Sequence, residues 1–402
     1  MKHQFLLSFI LFHFLSFSQK QYPKDYFINP LNIPIYLSGS FGELRSNHFH
    51  AGLDIKTQGK QGLKVFAVAD GYVSRIKVQQ FGYGKAIYIT HPNGFTSVYG
   101  HLSKFNDEID EYVKSIQYKK ENYETGNLFF KEDKFRVKKG DVIAFSGDTG
   151  GSGGPHLHFE IRDSKTESVI NPLWFGFKVK DTRTPTVQSV KVYALSSDAR
   201  INQQKKSFQI PIKNLGNGKY SADRITASGT ISFGISVFDR FNEVPNKNGI
   251  YSLAMFLNGK RFYYHDVETF SFSETKFMNL HIDYEHYKKY KRRYQKTYKE
   301  TANKLSTYEK LINNGKINIQ NGMNYTVEIV AKDFEGNTST VKIPVLGKES
   351  NAIFKAQKDT TAYKIDYKKF NKFSKKGVTV AFPKNTFYKD LYLDFKVDHK
   401  IA

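Results

Sequence analysis

The sequence predicts a mainly-β protein, and three observations carry that prediction. First, most of the 402 residues form short apolar runs separated by Gly, Asn, Asp and Pro, a pattern typical of strands joined by turns. Second, 39% of the residues are hydrophobic and 15% are aromatic, which excludes a chain that is disordered throughout. Third, Cys is absent, so disulfide frameworks, Cys-ligated zinc, iron–sulfur clusters and thiol nucleophiles are all excluded.

Residues 1–18 are predicted to be a secretory signal peptide. Lys2 supplies positive charge, an apolar run follows from Phe5 to Leu15, and Ser-Phe-Ser places small residues at the cleavage positions before Gln19. The apolar run is shorter than the ~20 residues of a spanning helix, and no later segment is apolar enough to span a membrane. With no Cys after the signal, a lipoprotein is also excluded. We therefore expect an exported protein of the periplasm or cell envelope, or a secreted one.

Residues 19–176 are predicted to form one antiparallel β domain. After an irregular Pro-containing lead-in, strands are predicted over residues 63–69, 72–78, 86–90, 96–102, 142–146 and 157–162. Asp70-Gly71 predicts a hairpin between the first two of these strands, since Gly tolerates positive φ. The charged segment 106–123 interrupts the strand pattern, and we expect a helix inserted there between two strands.

Residues 177–348 are predicted to form a β-sandwich of the immunoglobulin-like kind. Asn258-Gly259 and the stretch 335–337 are hairpin turn signals between aromatic or β-branched runs. Stretches 237–242 and 331–337 are weakly similar, as two related strands would be. Between them Tyr recurs every three or four residues, which predicts one long helix over 283–313, its Tyr face on the sandwich and its basic face in solvent.

Residues 349–402 carry two further strand-like runs, at 377–383 and 387–397. Some 50 residues with so few elements rarely form an independent domain. We expect either a partial third β module or a C-terminal extension that packs on the sandwich. Whether the chain is a fragment of a longer protein stays open.

Positive charge is concentrated in the C-terminal half of the chain. Residues 19–176 hold 20 Lys and Arg against 17 Asp and Glu, a net charge of +3, whereas residues 177–402 hold 40 against 21, a net charge of +19. A basic exported surface favours anionic envelope polymers or anionic lipid as partners. Nucleic acid is not an expected partner of an exported chain.

Two His-containing motifs form a candidate metal site. His50 and Asp54 are four residues apart, and Gly52 between them disfavours a helix, so we expect a loop entering a strand with both side chains able to converge. In the strand 157–162, alternation places His156, His158 and Glu160 on the face opposite the core. Two imidazoles that project in parallel from an anchored strand have the geometry of a metal site.

A third histidine belongs to the same region. In the strand 96–102, alternation places Tyr99 and His101 on one face, with Val98 and Leu102 on the other. Catalytic zinc commonly takes three protein ligands and keeps one position for water, and further histidines nearby can move protons and hold a developing oxyanion. His48 and His91 lie beside turn residues and are expected to be exposed.

The order of these motifs resembles that of the lysostaphin/LytM-type zinc metallopeptidases, which are peptidoglycan endopeptidases with a small antiparallel β core. The resemblance covers about residues 36–174. It rests on several short motifs that occur in the family's order, namely Phe41-Gly42-Glu43-Leu44-Arg45, His50-x-x-x-Asp54, Val68-Ala69-Asp70-Gly71-Tyr72-Val73, Tyr99-Gly100-His101, Lys139-Gly140-Asp141-Val142-Ile143 and Gly154-Pro155-His156-Leu157-His158-Phe159-Glu160.

The resemblance implies a role for each matched residue. His50, Asp54 and His158 become the ligands of one Zn²⁺ per chain, whereas His101 and His156 become the pair that activates water and stabilises the tetrahedral intermediate. The matched Arg45 is expected to help shape the cleft. Glu160 shares the histidine face, but three ligands are already assigned, so it is expected to support the ligands from behind or to form a plain salt bridge. The long segment between His101 and Asp141 departs from the family pattern, so substrate preference is not carried over.

The predicted function is therefore hydrolysis of peptide stems or cross-links in bacterial peptidoglycan by an exported zinc metalloendopeptidase. Two alternatives remain open. The chain could be a catalytically silent wall-binding regulator of another hydrolase, or the C-terminal modules could make it an envelope adhesion or assembly protein. Which bond is cleaved, whether the groove is self-inhibited and which oligomeric state forms are not decided by the sequence.

Overall fold

The computed structural model describes residues 22–349 and 361–398, and the described chain is mainly β. The predicted signal peptide at 1–18 lies outside the described residues, as does the proposed start near Gln19. Within the described part of the chain, no helix is both long and apolar enough to cross a membrane.

The elements of the first region are β1 Leu37–Gly39, β2 Leu53–Lys56, β3 Lys64–Phe66, β4 Gly71–Val78, β5 Lys85–Thr90, β6 Phe95–Leu102, β7 Lys104–Phe105, α1 Asp107–Lys120, β8 Gly126–Phe129, β9 Arg136–Val137, β10 Val142–Phe145, β11 His156–Asp163, β12 Val169–Ile170 and a 3₁₀ helix at Pro172–Phe175. The region is built on an antiparallel sheet with the strand order β1-β2-β11-β6-β5-β4-β8, beside a smaller sheet of order β3-β10-β7. The mainly-β, antiparallel prediction is confirmed for this region.

The predicted helical insertion is present as α1, between β7 and β8. The Asn106 side chain caps its first turn by accepting a hydrogen bond from the Ile109 N–H at 3.1 Å. Glu121 ends the helix in a left-handed conformation. Only one side of α1 is buried, through Ile109 and Val113, so the rest of this insertion faces solvent.

The predicted hairpin at Asp70-Gly71 is wrong. β3 pairs with β10 in the smaller sheet, whereas β4 pairs with β5, so the chain changes sheets at this point. The Asp70 carboxylate accepts the Lys139 N–H at 2.8 Å, which fixes the crossing. A Cβ at Gly71 would lie 2.4 Å from the Thr90 carbonyl oxygen, so glycine serves close approach here, not a hairpin turn.

His91 is also placed differently from the prediction. It is 2% exposed, and its two ring nitrogens lie 2.8 Å from the Asp70 carbonyl oxygen and 2.8 Å from Ser97 Oγ. His48 is exposed, as predicted. His91 is therefore a satisfied core histidine that supports the crossing at Asp70.

The second region is organised around the long strand β18, which pairs antiparallel with β13 along one part and parallel with β26 along another. Its strands are β13 Thr186–Ala194, β14 Arg200–Ile201, β15 Phe208–Ile210, β16 Ile212–Gly216, β17 Lys219–Ala222, β18 Ile225–Phe238, β19 Ser252–Leu257, β20 Lys260–Asp266, β21 Thr269–Phe270, β22 Gln295–Lys296, β23 Tyr308–Leu311, β24 Ile317–Ile319, β25 Asn324–Lys332 and β26 Thr338–Gly347. Inward side chains of these strands form a second hydrophobic core. The immunoglobulin-like sandwich stays a prediction.

Both predicted hairpin turns of this region are confirmed. Asn258 and Gly259 join β19 to β20 with φ of 50° and 79°, the positive values that a two-residue type I′ turn requires. The second turn joins β25 to β26, and its Gly336 has a φ of 99°.

The predicted long helix over 283–313 is wrong. The structure has α2 Met278–His281, α3 Tyr284–Tyr290 and 3₁₀ helices at Thr275–Phe277 and Asn313–Gly315, and Lys291 ends α3 in a left-handed conformation. The following residues return to β18 through β22. Tyr294 is fully buried there, and its hydroxyl lies 2.8 Å from Ser189 Oγ, whereas Tyr290 is exposed. Regularly spaced Tyr residues thus lie in two different environments, the buried core and the solvent-exposed surface. Tertiary packing overrides the helical period of the sequence.

Residues 361–398 form two small two-stranded sheets. Their strands are β27 Tyr363–Ile365, β28 Asn371–Lys375, β29 Val378–Phe382 and β30 Leu391–Leu393, with β27 paired to β30 and β28 paired to β29. Two-stranded sheets are marginally stable alone, so a partial module or extension stays the prediction for this segment.

The two large regions share a hydrophobic boundary beside the His50 loop. β21 pairs with β12, and Phe270 packs against Phe41 and Phe49 with ring centroids 5.0 and 5.4 Å apart. The Phe49 N–H donates to Thr275 Oγ1 at 2.7 Å. The second region therefore supports the loop that carries His50. The predicted boundary at 176 and 177 stays a prediction.

Candidate metal centre

Three neighbouring strands bring the predicted site residues together. Asp54 on β2 pairs directly with His158 on β11, and Gly100 of β6 pairs with His158 from the other side. Directly paired residues in antiparallel strands project to the same face, so Asp54 and His158 meet on one side of the sheet. Leu157 and Phe159 point to the opposite face and anchor β11 in the core.

His50 reaches this face from the loop before β2. The His50 N–H donates to the Glu43 carbonyl at 2.8 Å, and the Gly42 N–H donates to the His50 carbonyl at 2.9 Å, which ties the loop down. A Cβ at Gly52 would lie 2.3 Å from the Phe159 carbonyl oxygen. Glycine at 52 therefore lets the loop approach β11 closely enough to place His50 beside His158.

The three side chains converge at hydrogen-bonding distance. Asp54 Oδ1 lies 2.9 Å from His50 Nε2 and 2.9 Å from His158 Nδ1, and these two nitrogens are 3.2 Å apart. All three residues are buried, with exposed fractions of 7% or less. Two imidazole nitrogens and one carboxylate oxygen form a donor set that zinc commonly takes.

Each of these side chains is held by a second contact on its other polar atom. His50 Nδ1 lies 2.8 Å from the Ser40 carbonyl oxygen, and His158 Nε2 lies 2.8 Å from Glu160 Oε1. Arg45 donates to Asp54 Oδ2 at 2.9 Å. The carbonyl and carboxylate acceptors place a proton on His50 Nδ1 and on His158 Nε2. Lone pairs of His50 Nε2, His158 Nδ1 and Asp54 Oδ1 are then left facing one another. A cation fits that arrangement.

The pKa shifts agree with this description. Burial lowers the pKa of His50 and so favours the neutral imidazole that binds metals. Burial alone would raise the pKa of Asp54, but its contacts with His50, His156 and His158 hold it well below its usual value. Burial would lower the pKa of His158, yet hydrogen bonds to Asp54 and Glu160 raise it to about 9. Because a metal ligand must be a neutral imidazole, a cation bound here would displace the second proton of His158.

His101 reaches the site through an unusual backbone conformation. Its φ is 59°, in the left-handed region, which interrupts the alternation at the end of β6. Tyr99 packs on Phe159 in the main core with ring centroids 5.4 Å apart, whereas the His101 ring lies 5.8 Å from that of His158 on the opposite face. The prediction that Tyr99 and His101 share a face is therefore wrong, and backbone strain of the kind found at functional sites brings His101 to the candidate centre.

His101 and His156 form a pair next to the three converging side chains. Their ring centroids are 4.7 Å apart, and each Nδ1 lies 2.8 Å from a backbone carbonyl oxygen, that of Thr149 for His101 and that of Gly154 for His156. Those carbonyls fix the proton on Nδ1 and leave Nε2 as the basic nitrogen. Burial and the two neighbouring histidines lower the pKa of His101 to about 4, so its ring is neutral at neutral pH.

Glu160 lies at the centre of a buried network behind His158. Besides His158, it accepts hydrogen bonds from Tyr83 Oη at 2.5 Å and from Arg162 Nε at 2.6 Å. Arg162 and His158 lower the pKa of Glu160 to about 2 against the effect of its complete burial. Glu160 therefore contacts His158 and also forms a buried salt bridge with Arg162. Tyr83 was not predicted, and its one sequence signal is its place between two glycines with positive φ, Gly82 and Gly84.

An open cavity of about 490 Å³ adjoins the site. Its wall includes Asp54 and His156, together with Arg45, Lys56 and Gly154. His156 is the most exposed of the five predicted site residues, with 13% of its side chain accessible. The centre is thus buried on the protein side and reachable from the cavity.

Comparison with known proteins finds a family match in this region. The model of peptidase family M23 matches residues 48–118 and 122–172, the segment that holds all five predicted site residues. The resemblance to lysostaphin/LytM-type peptidases is thereby confirmed for this region.

Similar proteins match the same part of the chain. The DD-carboxypeptidase/endopeptidase Mpg of Neisseria meningitidis serogroup B (strain ATCC 13091 / M2091) is 36% identical over 119 residues, 30% of this chain and 21% of that protein. The peptidoglycan DD-endopeptidase ShyC of Vibrio cholerae is 33% identical over 100 residues, 25% of this chain and 17% of that protein. The chain thus matches about a fifth of the length of these curated relatives. The structure of the lysostaphin catalytic domain from Staphylococcus simulans is 24% identical and covers 35% of this chain and 90% of its own, with a TM-score of 0.26.

Proposed function

We propose that the protein is an exported zinc metalloendopeptidase that hydrolyses peptide stems or cross-links of bacterial peptidoglycan. The observation that carries this proposal is the convergence of His50, Asp54 and His158 beside His101 and His156, inside the segment matched by peptidase family M23. The names of Mpg and ShyC support the substrate class. Export rests on the predicted signal peptide.

Zinc suits the donor set of the candidate centre. His50 Nε2, Asp54 Oδ1 and His158 Nδ1 would hold the ion, and the mixture of imidazole and carboxylate is one that zinc accepts and that Ca²⁺ and Mg²⁺ do not favour. When bound, zinc would lower the pKa of a water molecule and polarise the scissile carbonyl.

The chain's own residues supply the proton transfers. The basic Nε2 atoms of His101 and His156 can take a proton from the attacking water and return one to the leaving amine. A protonated Nε2 can also donate to the oxyanion that develops on the substrate carbonyl. The carbonyls of Thr149 and Gly154 keep both rings oriented for this, because they hold the Nδ1 protons.

Arg45 and Glu160 act through the ligands. Arg45 holds Asp54 Oδ2, so that Oδ1 faces the two histidines, and Glu160 fixes the tautomer and the ring plane of His158. Outer contacts of this kind commonly contribute 10–100-fold to metal affinity or activity. The insertion that contains α1 is proposed to lengthen one wall of the groove.

The test is a digest of purified peptidoglycan sacculi with mass spectrometry of the products. New peptide termini that need both zinc and His158 would support the endopeptidase, and their masses would identify the cleaved bond. His158→Ala and zinc-stripped protein serve as negative controls, and His48→Ala is the matched control because His48 is an exposed histidine of the same segment. A folded, zinc-loaded protein that releases no products would favour the regulator instead.

A further inference from the structure

Three aspartates meet where the linker leaves the first region and enters the second. Asp181 lies in the linker, Asp239 directly follows β18, and Asp333 directly follows β25. They offer ligand atoms that all lie within 4.8 Å of one another. Their exposed fractions are 9%, 1% and 2%, so three carboxylates are gathered away from water.

Only some of the carboxylate oxygens of these aspartates accept hydrogen bonds from the protein. Asp333 Oδ1 accepts the N–H groups of Gly336 and Asn337 at 2.7 and 2.8 Å, and its Oδ2 accepts the Asn337 side-chain amide at 2.8 Å. Asp181 Oδ1 accepts the N–H of Arg183 at 3.0 Å. Among the described residues, no well-formed hydrogen bond reaches Asp181 Oδ2 or either oxygen of Asp239.

An amide side chain on the neighbouring strand segment shares a face with Asp239. Asp239 and Asn248 exchange both backbone hydrogen bonds, at 2.9 and 2.8 Å, so they form a directly opposed antiparallel pair and their side chains share a face. Asn248 is 3% exposed, and its Nδ2 donates to the Asn246 carbonyl at 3.3 Å. Within the described chain, Asn248 Oδ1 has no hydrogen-bond donor. A fourth oxygen thus faces the side of the strand pair that carries Asp239.

The cluster is unfavourable as a group of charges alone. Burial and the neighbouring carboxylates raise the pKa of Asp239 to about 8, against a smaller opposite effect of the Arg240 backbone N–H. Burial, together with the charges of Asp333 and Glu335, raises the pKa of Asp181 to about 6, against the opposite effects of the Arg183 backbone N–H and of the contact with Asp239. Unpaired buried carboxylates are costly, and a bound cation is a common way of stabilising them.

We propose that Asp181, Asp239 and Asp333 bind one Ca²⁺ ion, with Asn248 Oδ1 as a further ligand. Ca²⁺ takes oxygen ligands at 2.3–2.6 Å, so two ligands of one ion lie no more than about 5 Å apart, which agrees with the observed limit of 4.8 Å. No imidazole belongs to the cluster, which argues against zinc. Mg²⁺ prefers smaller octahedral shells and keeps several of its waters.

The ion would have a structural effect, because the three aspartates come from three separate segments. It would fasten the linker at Asp181 to the turns that follow β18 and β25. Close to it, Trp174 of the first region packs edge-on against Phe334, with ring centroids 5.1 Å apart. Ca²⁺ would therefore stabilise the junction of the two regions without touching the candidate zinc centre.

The single tryptophan of the chain provides a selective probe. Trp174 contacts the residue next to Asp333, so excitation of Trp174 should sensitise the emission of Tb³⁺, a luminescent ion that binds Ca²⁺ sites. Zinc-loaded protein in calcium-free buffer is titrated with Tb³⁺, then with Ca²⁺ as competitor. We expect saturable emission that Ca²⁺ removes, with a Ca²⁺ dissociation constant on the order of 10⁻⁴–10⁻³ M, the range of extracellular modules.

Variants decide whether the three aspartates hold the ion. Asp239→Asn should weaken Tb³⁺ and Ca²⁺ binding at least tenfold and abolish the rise in Tm that Ca²⁺ gives the wild type. Asp223→Asn is the matched control, since the Asp223 side chain is 82% exposed, and it should leave both unchanged. If Asp239→Asn does not fold, Asp181→Asn in the linker takes its place.

Two results would overturn the proposal. Wild-type protein without sensitised Tb³⁺ emission and without a Ca²⁺-dependent Tm would make the cluster a group of carboxylic acids that share protons. Unchanged Ca²⁺ affinity in both Asp239→Asn and Asp181→Asn would place the ion elsewhere. Neither result would bear on the proposed zinc peptidase, whose test uses sacculi and His158.

Discussion

Two groups of three buried side chains in the described part of the chain could hold a metal ion, and they differ in what surrounds them. In the first, His50, Asp54 and His158 each have their second polar atom engaged by the protein, which leaves one atom apiece directed at the others. In the second, Asp239 has both carboxylate oxygens without a well-formed hydrogen bond in the described chain. The first group is oriented by the protein, whereas the second would be ordered by the ion it binds.

The two groups also differ in the elements that carry them. Asp54 and His158 are paired strand residues, so their separation is fixed by the sheet. Asp181, Asp239 and Asp333 lie on a linker and directly after two strands, so no direct strand pairing fixes their separation. A rigid site suits chemistry, which needs fixed distances, and a site on connecting segments suits a structural ion that holds those segments together.

The largest expected effect comes from removing a ligand of the first group. We expect His158→Ala to lose zinc and to reduce sacculus cleavage to the level of zinc-stripped protein, because two ligands leave the ion poorly held. Metal content of the purified variant, measured by mass spectrometry, and product release are the two measurements. Asp239→Asn should keep zinc and cleavage. Retention of stoichiometric zinc by His158→Ala would remove His158 from the ligand set.

The next effect separates ligands from the proton-transfer pair. His101→Ala should retain zinc yet lose about 10²–10⁴-fold in turnover, the usual contribution of a positioned acid or base. The measurement is the rate of product release at saturating zinc, compared with His48→Ala. Loss of zinc from His101→Ala would show that the assignment of His101 as a non-ligand is wrong.

The first group could be predicted because its geometry follows from local rules. Alternation along β11 puts His156 and His158 on one face, and the motif from His50 to Asp54 enters the neighbouring strand. The position of His101 could not be predicted in the same way. Its positive φ breaks the alternation, and a non-glycine residue gives no sequence signal of that conformation.

The second group escaped sequence analysis for a different reason. The weak similarity between stretches 237–242 and 331–337 marks Asp239 and Asp333, but nothing in the sequence indicates that Asp181 joins them. Their proximity is a product of tertiary structure, as is the division of the Tyr-rich segment 283–313 into a short helix and strand-like pieces. In both cases, contacts between residues distant in sequence determine the structure, and the local periodicity of the sequence carries no information about those contacts.

A smaller effect is expected from the network behind His158. Glu160→Gln should weaken zinc binding about 10–100-fold, because His158 Nε2 loses its charged acceptor. The zinc dissociation constant is measured by competition with a chelator. Glu167→Gln is the control, since Glu167 also pairs with Arg162 but does not contact His158. Equal losses in both variants would mean that the effect comes from Arg162, not from the orientation of His158.

The smallest effect tests whether Tyr83, which contacts Glu160, also helps to orient the ligand His158. Tyr83→Phe removes one of three hydrogen bonds to Glu160 while His158 and Arg162 keep the other two. A hydrogen bond to a charged group contributes about 1.5–3 kcal/mol, so we expect a loss of that size in the free energy of unfolding. Zinc affinity should fall less than in Glu160→Gln, since the ligand ring keeps its acceptor. The Tyr118→Phe variant is the control because Tyr118 is 81% exposed. If Tyr83→Phe weakened zinc binding as much as Glu160→Gln does, the stacking of Tyr83 on His158, at a ring distance of 5.0 Å, would be the contact that orients the ligand.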